Sequence, residues 1–288
     1  MAKKYRDTDY LCLSAQIRSR ENALLRRSQL DRMLESGDAK QAARILAEQG
    51  WESFDPTQPG ALDAAILTQR EALYRAEVRR VREKYAGQIE IILGAERDAG
   101  FARDFSEYEY LIDSTHWLFI NGRGLNVDMS PEVMRQNVQE VFDGDYYAYC
   151  RAYYEAEAAL ARRSDALFLG HIDLVRKFNA GNRYFDESDP RYLEPALACA
   201  EIAARRGLPV EMNTGAISRG WRSDPYPAAP LLRRIREYGG EIIINSDAHS
   251  AEALDTGFDL CLDMARQAGF DHVLTLRAAG LTETGILE

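Results

Sequence analysis

The sequence predicts an α/β protein whose parallel strands follow an all-helical N-terminal segment. From Gln88 onward, short apolar runs alternate with longer stretches of helical periodicity, which is typical of a parallel sheet with helices packed on it. Before Lys84, apolar residues recur at helical spacing with only two interruptions. We therefore predict two domains, a helical segment over residues 1–77 and an α/β domain over residues 78–288.

The N-terminal segment is expected to contain three helices. The first begins near Asp9 and ends at Ser36 and Gly37, and the second covers residues 38–49. A stretch rich in proline and glycine at 53–60 then predicts a linker, followed by a third helix over residues 62–85.

The strands and helices of the second domain follow from hydrophobic runs and from helix-start signals. Strands are predicted at 89–93, 108–113, 166–169, 209–212, 241–245 and 272–276. Helices are predicted at 131–142, 146–163, 190–206, 227–238 and 256–268. Ser130 is expected to cap the first of these helices.

The amino-acid composition disfavours several classes of binding partner. The chain has 288 residues and a formal net charge of −10, which disfavours binding to nucleic acid or to anionic membranes. It has no apolar run of the roughly 18 residues that span a bilayer, so we expect a cytoplasmic protein. The four cysteines are far apart and are interpreted as buried thiols: Cys12, Cys150, Cys199 and Cys261.

Potential metal ligands follow four of the predicted strands. The chain holds four histidines and none among its first 115 residues, yet three of the four come just after a strand. The ends of parallel strands share one rim, so these side chains are expected to meet there. The candidate ligands are Glu96, His116, His171, Asp247 and His249. Imidazole and carboxylate ligands suit zinc, manganese or iron.

Each candidate also has a simpler interpretation. A single histidine after a strand is often a hydrogen-bonded structural residue, Asp247 could cap a helical turn, and Glu96 could pair with Arg97. Their joint occurrence favours a shared metal site.

Three other residues are weaker candidates. His272 begins a strand and is interpreted as structural. Asp98 and Asp113 are weaker acidic candidates, and Asp98 is expected to be exposed.

Phosphoester hydrolysis would also need cations that contact the phosphate. Two ions about 3.5–4 Å apart can hold both the nucleophile and the leaving oxygen. Planar guanidinium groups bind phosphate well, and Arg176, Lys177 and Arg219 lie in loops of the same region. Ordinary solvated loops would contain the same residues, so this alternative stays open.

Five segments resemble one protein family: 92–98, 111–116, 169–174, 211–215 and 244–250. The Gly-His-x-Asp-Leu motif at 170–174 and the Ser-Asp-Ala-His motif at 246–249 are the most specific. Through them, residues 78–285 resemble the histidinol-phosphatase branch of the PHP (polymerase and histidinol phosphatase) family. The resemblance implies a distorted (β/α) barrel, one to three divalent metal ions, and hydrolysis of L-histidinol phosphate in histidine biosynthesis.

The resemblance also implies roles for individual residues. Glu96 is similar to the bridging carboxylate of the family, and His116 and His171 to the ligands of one metal. Asp247 and His249 resemble ligands of a second and a third metal, which with Glu96 would form the catalytic set. Arg176 and Arg219 are similar to the residues that contact the substrate phosphate.

The N-terminal part departs from that family. The family begins with a strand that ends in His-x-His, whereas no histidine precedes His116 here, so the barrel is expected to lack its first strands. Residues 5–75 weakly resemble the helical C (or d) subunit of V/A-type rotary ATPases. An open barrel exposes a strand edge, which the helical segment, a second copy or another protein would cover, or which would be left prone to aggregation.

Three functions are compatible with these features. The first is a metal-dependent histidinol-phosphatase that acts on a small phosphorylated metabolite. The second is a catalytically impaired scaffold or interaction protein, and the third is a hydrolase of another phosphoester, because a fold does not determine a substrate.

Overall fold

The structure, a computed structural model, describes residues 61–98 and 104–286. The two helices predicted before residue 50, the linker at 53–60 and Cys12 lie outside the described residues. The chain divides into two units, Met1–Leu93 and Gly94–Glu288. This division falls later in the chain than the predicted boundary after residue 77.

In the first unit, helix α1 covers Ala61–Lys84 and confirms the helix predicted for residues 62–85. The strand predicted at 89–93 is wrong, because no strand forms before Gly94 in the described part of the chain. After the helix the chain turns through Gly87, and Arg82 Nε donates to the carbonyl of Ile91 at 2.8 Å. The apolar run at 89–93 therefore indicates a hydrophobic segment that does not form a β-strand.

The second unit is built on a seven-stranded sheet with the order β1-β2-β5-β6-β7-β8-β9. Its strands are β1 Gly94–Asp98, β2 Tyr110–Ser114, β5 Phe168–Leu169, β6 Val210–Asn213, β7 Ile242–Asn245, β8 His272–Arg277 and β9 Gly280–Gly285. Neighbouring strands from β1 to β8 are parallel, and β9 pairs antiparallel with β8. The parallel strands bring their carboxyl ends to one edge.

Two features of the sheet were absent from the sequence prediction. A separate hairpin joins β3 Trp117–Ile120 to β4 Arg123–Asn126, and the last strand β9 closes a second hairpin. Asn121 and Gly122 both have positive φ, as a two-residue type I′ turn requires. The α/β class is confirmed, while closure into a barrel and loss of its first strands remain predictions.

The helices of this unit agree closely with the prediction, except that the short helix over Gly215–Ser218 was not predicted. They are α2 Pro131–Val141, α3 Tyr146–Arg163, α4 Pro190–Arg205, α5 Gly215–Ser218, α6 Ala229–Glu237 and α7 Phe258–Gln267. Ser130 caps α2 as predicted, because its hydroxyl accepts from the backbone N–H of Val133 at 3.2 Å. Helix α6 begins two residues later than predicted, at Ala229.

Helix α3 packs against α4 and carries much of the core on one face. Tyr149, Tyr153 and Tyr154 of this face are buried, and the Tyr154 hydroxyl donates to that of Tyr192 at 2.9 Å. Glu157 shares the same buried face.

The three described cysteines, Cys150, Cys199 and Cys261, are buried free thiols, as predicted. Within residues 61–98 and 104–286, no helix has both the length and the hydrophobicity that crossing a bilayer requires.

Candidate metal centre

Glu96 lies inside strand β1 and not after a strand, which corrects the sequence prediction. It occupies the middle of Gly94–Asp98 and lies in register with Ile112 of β2. Because side chains alternate along a strand, Glu96 and Asp98 share one face, and Arg97 lies on the other. The Arg97 guanidinium binds Asp113, with Nε to Oδ1 at 2.6 Å.

Three further candidates occupy equivalent positions after their strands. His116, His171 and Asp247 each stand two residues beyond the last residue of β2, β5 and β7. Since these strands are parallel members of one sheet, their carboxyl ends meet at the same edge. The strands therefore place these three residues along the same edge of the sheet.

Glu96, His116 and His171 form a compact cluster. Glu96 Oε1 lies 3.1 Å from His171 Nε2 and 3.6 Å from His116 Nε2, and one ligand atom from each residue lies within 4.8 Å of the others. The two imidazole rings meet edge to face with centroids 4.9 Å apart. Two imidazoles and one carboxylate are the donor set of many catalytic zinc sites, so these residues fit a divalent ion.

The charges in this cluster reinforce one another. Burial by itself would raise the pKa of Glu96, but the hydrogen bond with His171 and the charge of His116 lower it to about 2. Burial would lower the pKa of His171, whereas its hydrogen bond with Glu96 and the nearby carboxylates raise it to about 10. Metal binding at His171 must therefore displace a proton.

Asp98 orients His116. Its Oδ2 lies 3.0 Å from His116 Nδ1, and its carboxylate also accepts from the backbone N–H of His116 at 3.2 Å. The prediction that Asp98 is exposed is wrong, because its side chain is only 17% exposed. With Nδ1 held in this way, Nε2 is the nitrogen that faces Glu96. Placing β1 correctly would have revealed Asp98 by its alternation with Glu96.

Asp247 lies beside the cluster and contacts two further candidates. Arg219 Nη2 lies 2.7 Å from Asp247 Oδ2, and His249 Nε2 lies 3.3 Å from Asp247 Oδ1. Although burial acts to raise the pKa of Asp247, His249 and Arg219 hold it well below its usual range. Asp247 in turn acts electrostatically on Glu96 and His171, which places it at the same edge.

Glu211 of β6 accepts hydrogen bonds from residues at or just after the ends of three strands. The sequence analysis did not single it out. Its carboxylate accepts from the backbone N–H of His171 at 3.0 Å, from Asn213 Nδ2 at 2.9 Å and from Asn245 Nδ2 at 2.9 Å. These bonds fix the backbone of His171 relative to β6 and β7. A buried acid within a strand carries no sequence signal of this role.

Arg176 occupies a different environment from the predicted phosphate-binding one. Its side chain is 1% exposed, and its guanidinium contacts the carboxylates of Asp173, Glu187 and Asp224. This burial argues against contact with a substrate.

The other candidate arginine and the remaining histidine lie in different surroundings. The Arg219 side chain is 29% exposed and lies beside Asp247. His272, interpreted as structural, pairs with Asp271 and Glu241.

The fold and the cluster define a class of protein: an α/β protein with a cluster that could hold a divalent metal ion at the carboxyl edge of a parallel sheet. No family model matches the chain. A protein described as a probable histidinol-phosphatase from Deinococcus radiodurans is 30% identical over 187 residues, which span 61% of this chain and 64% of that protein. The match thus covers slightly less than two thirds of that relative.

Two further comparisons agree with the first. A probable histidinol-phosphatase from Schizosaccharomyces pombe is 25% identical over 259 residues, 81% of this chain and 82% of that protein. The crystal structure of histidinol phosphate phosphatase from Lactococcus lactis with zinc, L-histidinol and phosphate superposes with a TM-score of 0.53 at 19% identity. The superposition covers 74% of this chain and 79% of the Lactococcus lactis chain. The chain is therefore similar in sequence to proteins described as probable histidinol-phosphatases, and it shares the fold of a histidinol phosphate phosphatase. The likeness of residues 5–75 to a rotary-ATPase subunit remains a prediction.

Proposed function

We propose that the chain is a metal-dependent phosphomonoester hydrolase of the histidinol-phosphatase type. The reaction converts L-histidinol phosphate and water to L-histidinol and phosphate, a step of histidine biosynthesis in the cytoplasm. One observation carries this proposal: the convergence of Glu96, His116 and His171 within 4.8 Å of one another. Relatives described as probable histidinol-phosphatases support the choice of substrate.

The cluster would hold a zinc, manganese or iron ion through Glu96 Oε1 and the Nε2 atoms of His116 and His171. Asp247 and His249 would contribute to a second or third ion at the same edge. A bound divalent ion lowers the pKa of water and neutralises charge on a phosphoryl group. Glu96, Asp247 and His249 are the proposed catalytic set.

Arg219 is the proposed phosphate-binding residue. Its guanidinium is partly exposed at the edge that carries Asp247, and its Nη1 also donates to the Asp247 carbonyl at 3.0 Å. A planar guanidinium can bind two phosphate oxygens at once. In this arrangement Arg219 would orient both Asp247 and the phosphate of a small phosphorylated metabolite.

Metal analysis and a phosphate-release assay on the same preparations test the proposal. We expect purified protein to retain a divalent metal and to release phosphate from L-histidinol phosphate faster than from p-nitrophenyl phosphate. His171→Ala should lose both the metal and the activity, whereas the matched control His272→Ala should keep both. A metal-loaded protein that releases no phosphate from either compound would contradict the enzymatic function.

A catalytically impaired scaffold is the second candidate. It is favoured by the absence of any histidine before His116, which leaves a nearly complete ligand set for one ion only. In that case at most one metal per chain and no turnover are expected. Preference for another phosphoester would instead indicate a hydrolase with a different substrate.

A further inference from the structure

Three strand ends of the second unit share one buried carboxylate, that of Glu211 in β6. Glu211 is 4% exposed, and its Oε2 lies 3.0 Å from the backbone nitrogen of His171 and 2.9 Å from Asn213 Nδ2. Its Oε1 accepts from Asn245 Nδ2 at 2.9 Å. In these three hydrogen bonds both oxygens face N–H donors, as suits a carboxylate, which can only accept.

The parallel sheet explains why these groups meet. Asn213 follows Glu211 by two residues in β6, so both side chains lie on the same face of the sheet. Strand β7 pairs in parallel with β6, and Asn245 is in register with Asn213, so its side chain also lies on this face. A Cβ at Gly170 would lie 3.5 Å from Glu211 Oε2, which places the carboxylate against the end of β5. Glu211 thus lies between β5 and β7.

A chain of hydrogen bonds continues from Glu211 to the proposed phosphate-binding residue. Asn213 Oδ1 accepts from the backbone N–H of Gly215 at 2.8 Å, and the Gly215 carbonyl accepts from the backbone N–H of Arg219 at 3.2 Å. The Arg219 guanidinium in turn pairs with Asp247, just beyond the end of β7. The same carboxylate is therefore connected to the metal cluster on one side and to this ion pair on the other.

Removing the Glu211 carboxylate would leave three buried N–H groups without their acceptor. A buried donor without a partner is unfavourable enough that the surrounding chain is expected to shift towards other acceptors. One of the three donors is the main-chain N–H of His171, so this shift would move the whole residue and not only turn its ring. His171 Nε2 lies 3.1 Å from Glu96 Oε1, and binding sites tolerate displacements of only about 0.5 Å.

We propose that Glu211 is a positioning residue that sets the distance between the metal cluster and the ion pair of Arg219 with Asp247. Its carboxylate holds the backbone of His171 directly, and it holds the ends of β6 and β7 through two asparagine side chains. This inference rests on the proposed metal centre and on the proposed phosphate-binding role of Arg219. Its test uses the binding of zinc and of inorganic phosphate and needs no turnover.

Glu211→Leu is the decisive variant, because leucine has a similar size but no hydrogen-bond acceptor. We expect its zinc affinity, measured by competition with a chromophoric chelator, to fall about 10- to 100-fold. Binding of inorganic phosphate to the zinc-saturated variant, measured by calorimetry, should weaken about tenfold. Glu211→Gln keeps an oxygen for the His171 N–H, and the Asn245 amide can turn to accept from the new NH2 group. Both affinities of Glu211→Gln should therefore remain close to those of wild type.

Asn179→Leu is the matched control for the loss of several buried hydrogen bonds. Asn179 is 0% exposed, and its amide bonds to the backbone of Tyr184 and Phe185 and to the Glu187 carboxylate, all within one loop. We expect this variant to have a lower melting temperature but the zinc and phosphate affinities of wild type. If Glu211→Leu behaves in the same way, Glu211 has a structural role only and the inference is overturned.

Asn245→Ala removes only the link to β7 and decides the question if Glu211→Leu does not fold. We expect its phosphate binding to weaken about tenfold, with zinc binding nearly unchanged; unaltered phosphate binding would overturn the inference. Affinities of Glu211→Gln as low as those of Glu211→Leu would also overturn it, because charge and not hydrogen bonding would then be responsible. A wild type that binds no zinc would overturn the proposed function together with the inference. Normal binding by wild type with equal affinities in Glu211→Leu would overturn the inference alone.

Discussion

At the residue scale, the orientation of the His116 ring depends on a carboxylate that is not itself a proposed ligand. Asp98 binds both Nδ1 and the backbone N–H of His116, so the ring cannot turn without losing its Nδ1 contact with a carboxylate that the backbone bond holds in place. A ligand held in this way loses less conformational entropy when it binds a metal. The acids beside the cluster therefore matter for affinity as well as the ligands.

Replacing Asp98 by asparagine tests this control of His116. Asparagine has nearly the same shape but lacks the charge that favours a protonated Nδ1, so we expect zinc affinity to fall about 10- to 100-fold. Chelator competition measures the change. Asp259→Asn, the same substitution at an exposed position in α7, is the matched control and should bind zinc as wild type does. Equal affinity in both variants would show that Asp98 does not orient the ring.

At the scale of the elements, the second position after four of the parallel strands is used in a regular way. It holds a proposed ligand after β2, β5 and β7, but a glycine, Gly215, after β6. A Cβ at Gly215 would lie 2.3 Å from Arg219 Nη2 and 2.6 Å from Asp247 Oδ2. This glycine therefore makes room for the Arg219–Asp247 ion pair.

Gly215→Ala should separate Arg219 from Asp247 without removing either residue. Losing one charge-assisted hydrogen bond costs about 1.5 kcal/mol, which corresponds to roughly a tenfold increase in KM for the phosphoester. Zinc binding at Glu96, His116 and His171 should be nearly unchanged. Gly285→Ala is the control, because no atom lies within 4 Å of the added methyl group. An unaltered KM would mean that Arg219 does not bind the phosphate.

At the scale of the whole molecule, the ionised Glu96–His171 pair links metal-free stability to pH. The pKa of Glu96 falls from 4.5 to about 2, so its contribution is present above pH 4.5 and is lost as pH falls towards 2. The pKa of His171 rises from 6.5 to about 10, so its contribution is complete below pH 6.5 and is lost as pH rises towards 10. The pair thus stabilises the metal-free protein most between pH 4.5 and 6.5.

Unfolding in denaturant with a chelator present tests this linkage. We expect wild type to be more stable than His171→Gln at pH 6, and we expect this difference in the free energy of unfolding to shrink steadily up to pH 9. Comparing the two proteins at each pH cancels the contribution of other titrating groups. A difference that stays constant from pH 6 to pH 9 would show that His171 is not protonated in the metal-free protein.

The sequence by itself determined the α/β class, most helices of the second unit and the common edge at which His116 and His171 meet. Local periodicity and the geometry of parallel strands are sufficient for these features, because they depend on neighbours along the chain and on a common strand direction. The same reasoning could not locate β1 correctly, since an apolar run at 89–93 resembles a strand whether or not another strand pairs with it.

Only the tertiary structure decided which charged groups are buried among several partners and which lie partly exposed at the edge of the sheet. Arg176 and Arg219 look alike in the sequence, but three carboxylates surround the first and the second lies at the edge beside Asp247. Asp98 became interpretable for the same reason. Burial and pairing depend on contacts between residues far apart in the chain, and only the folded arrangement specifies those contacts.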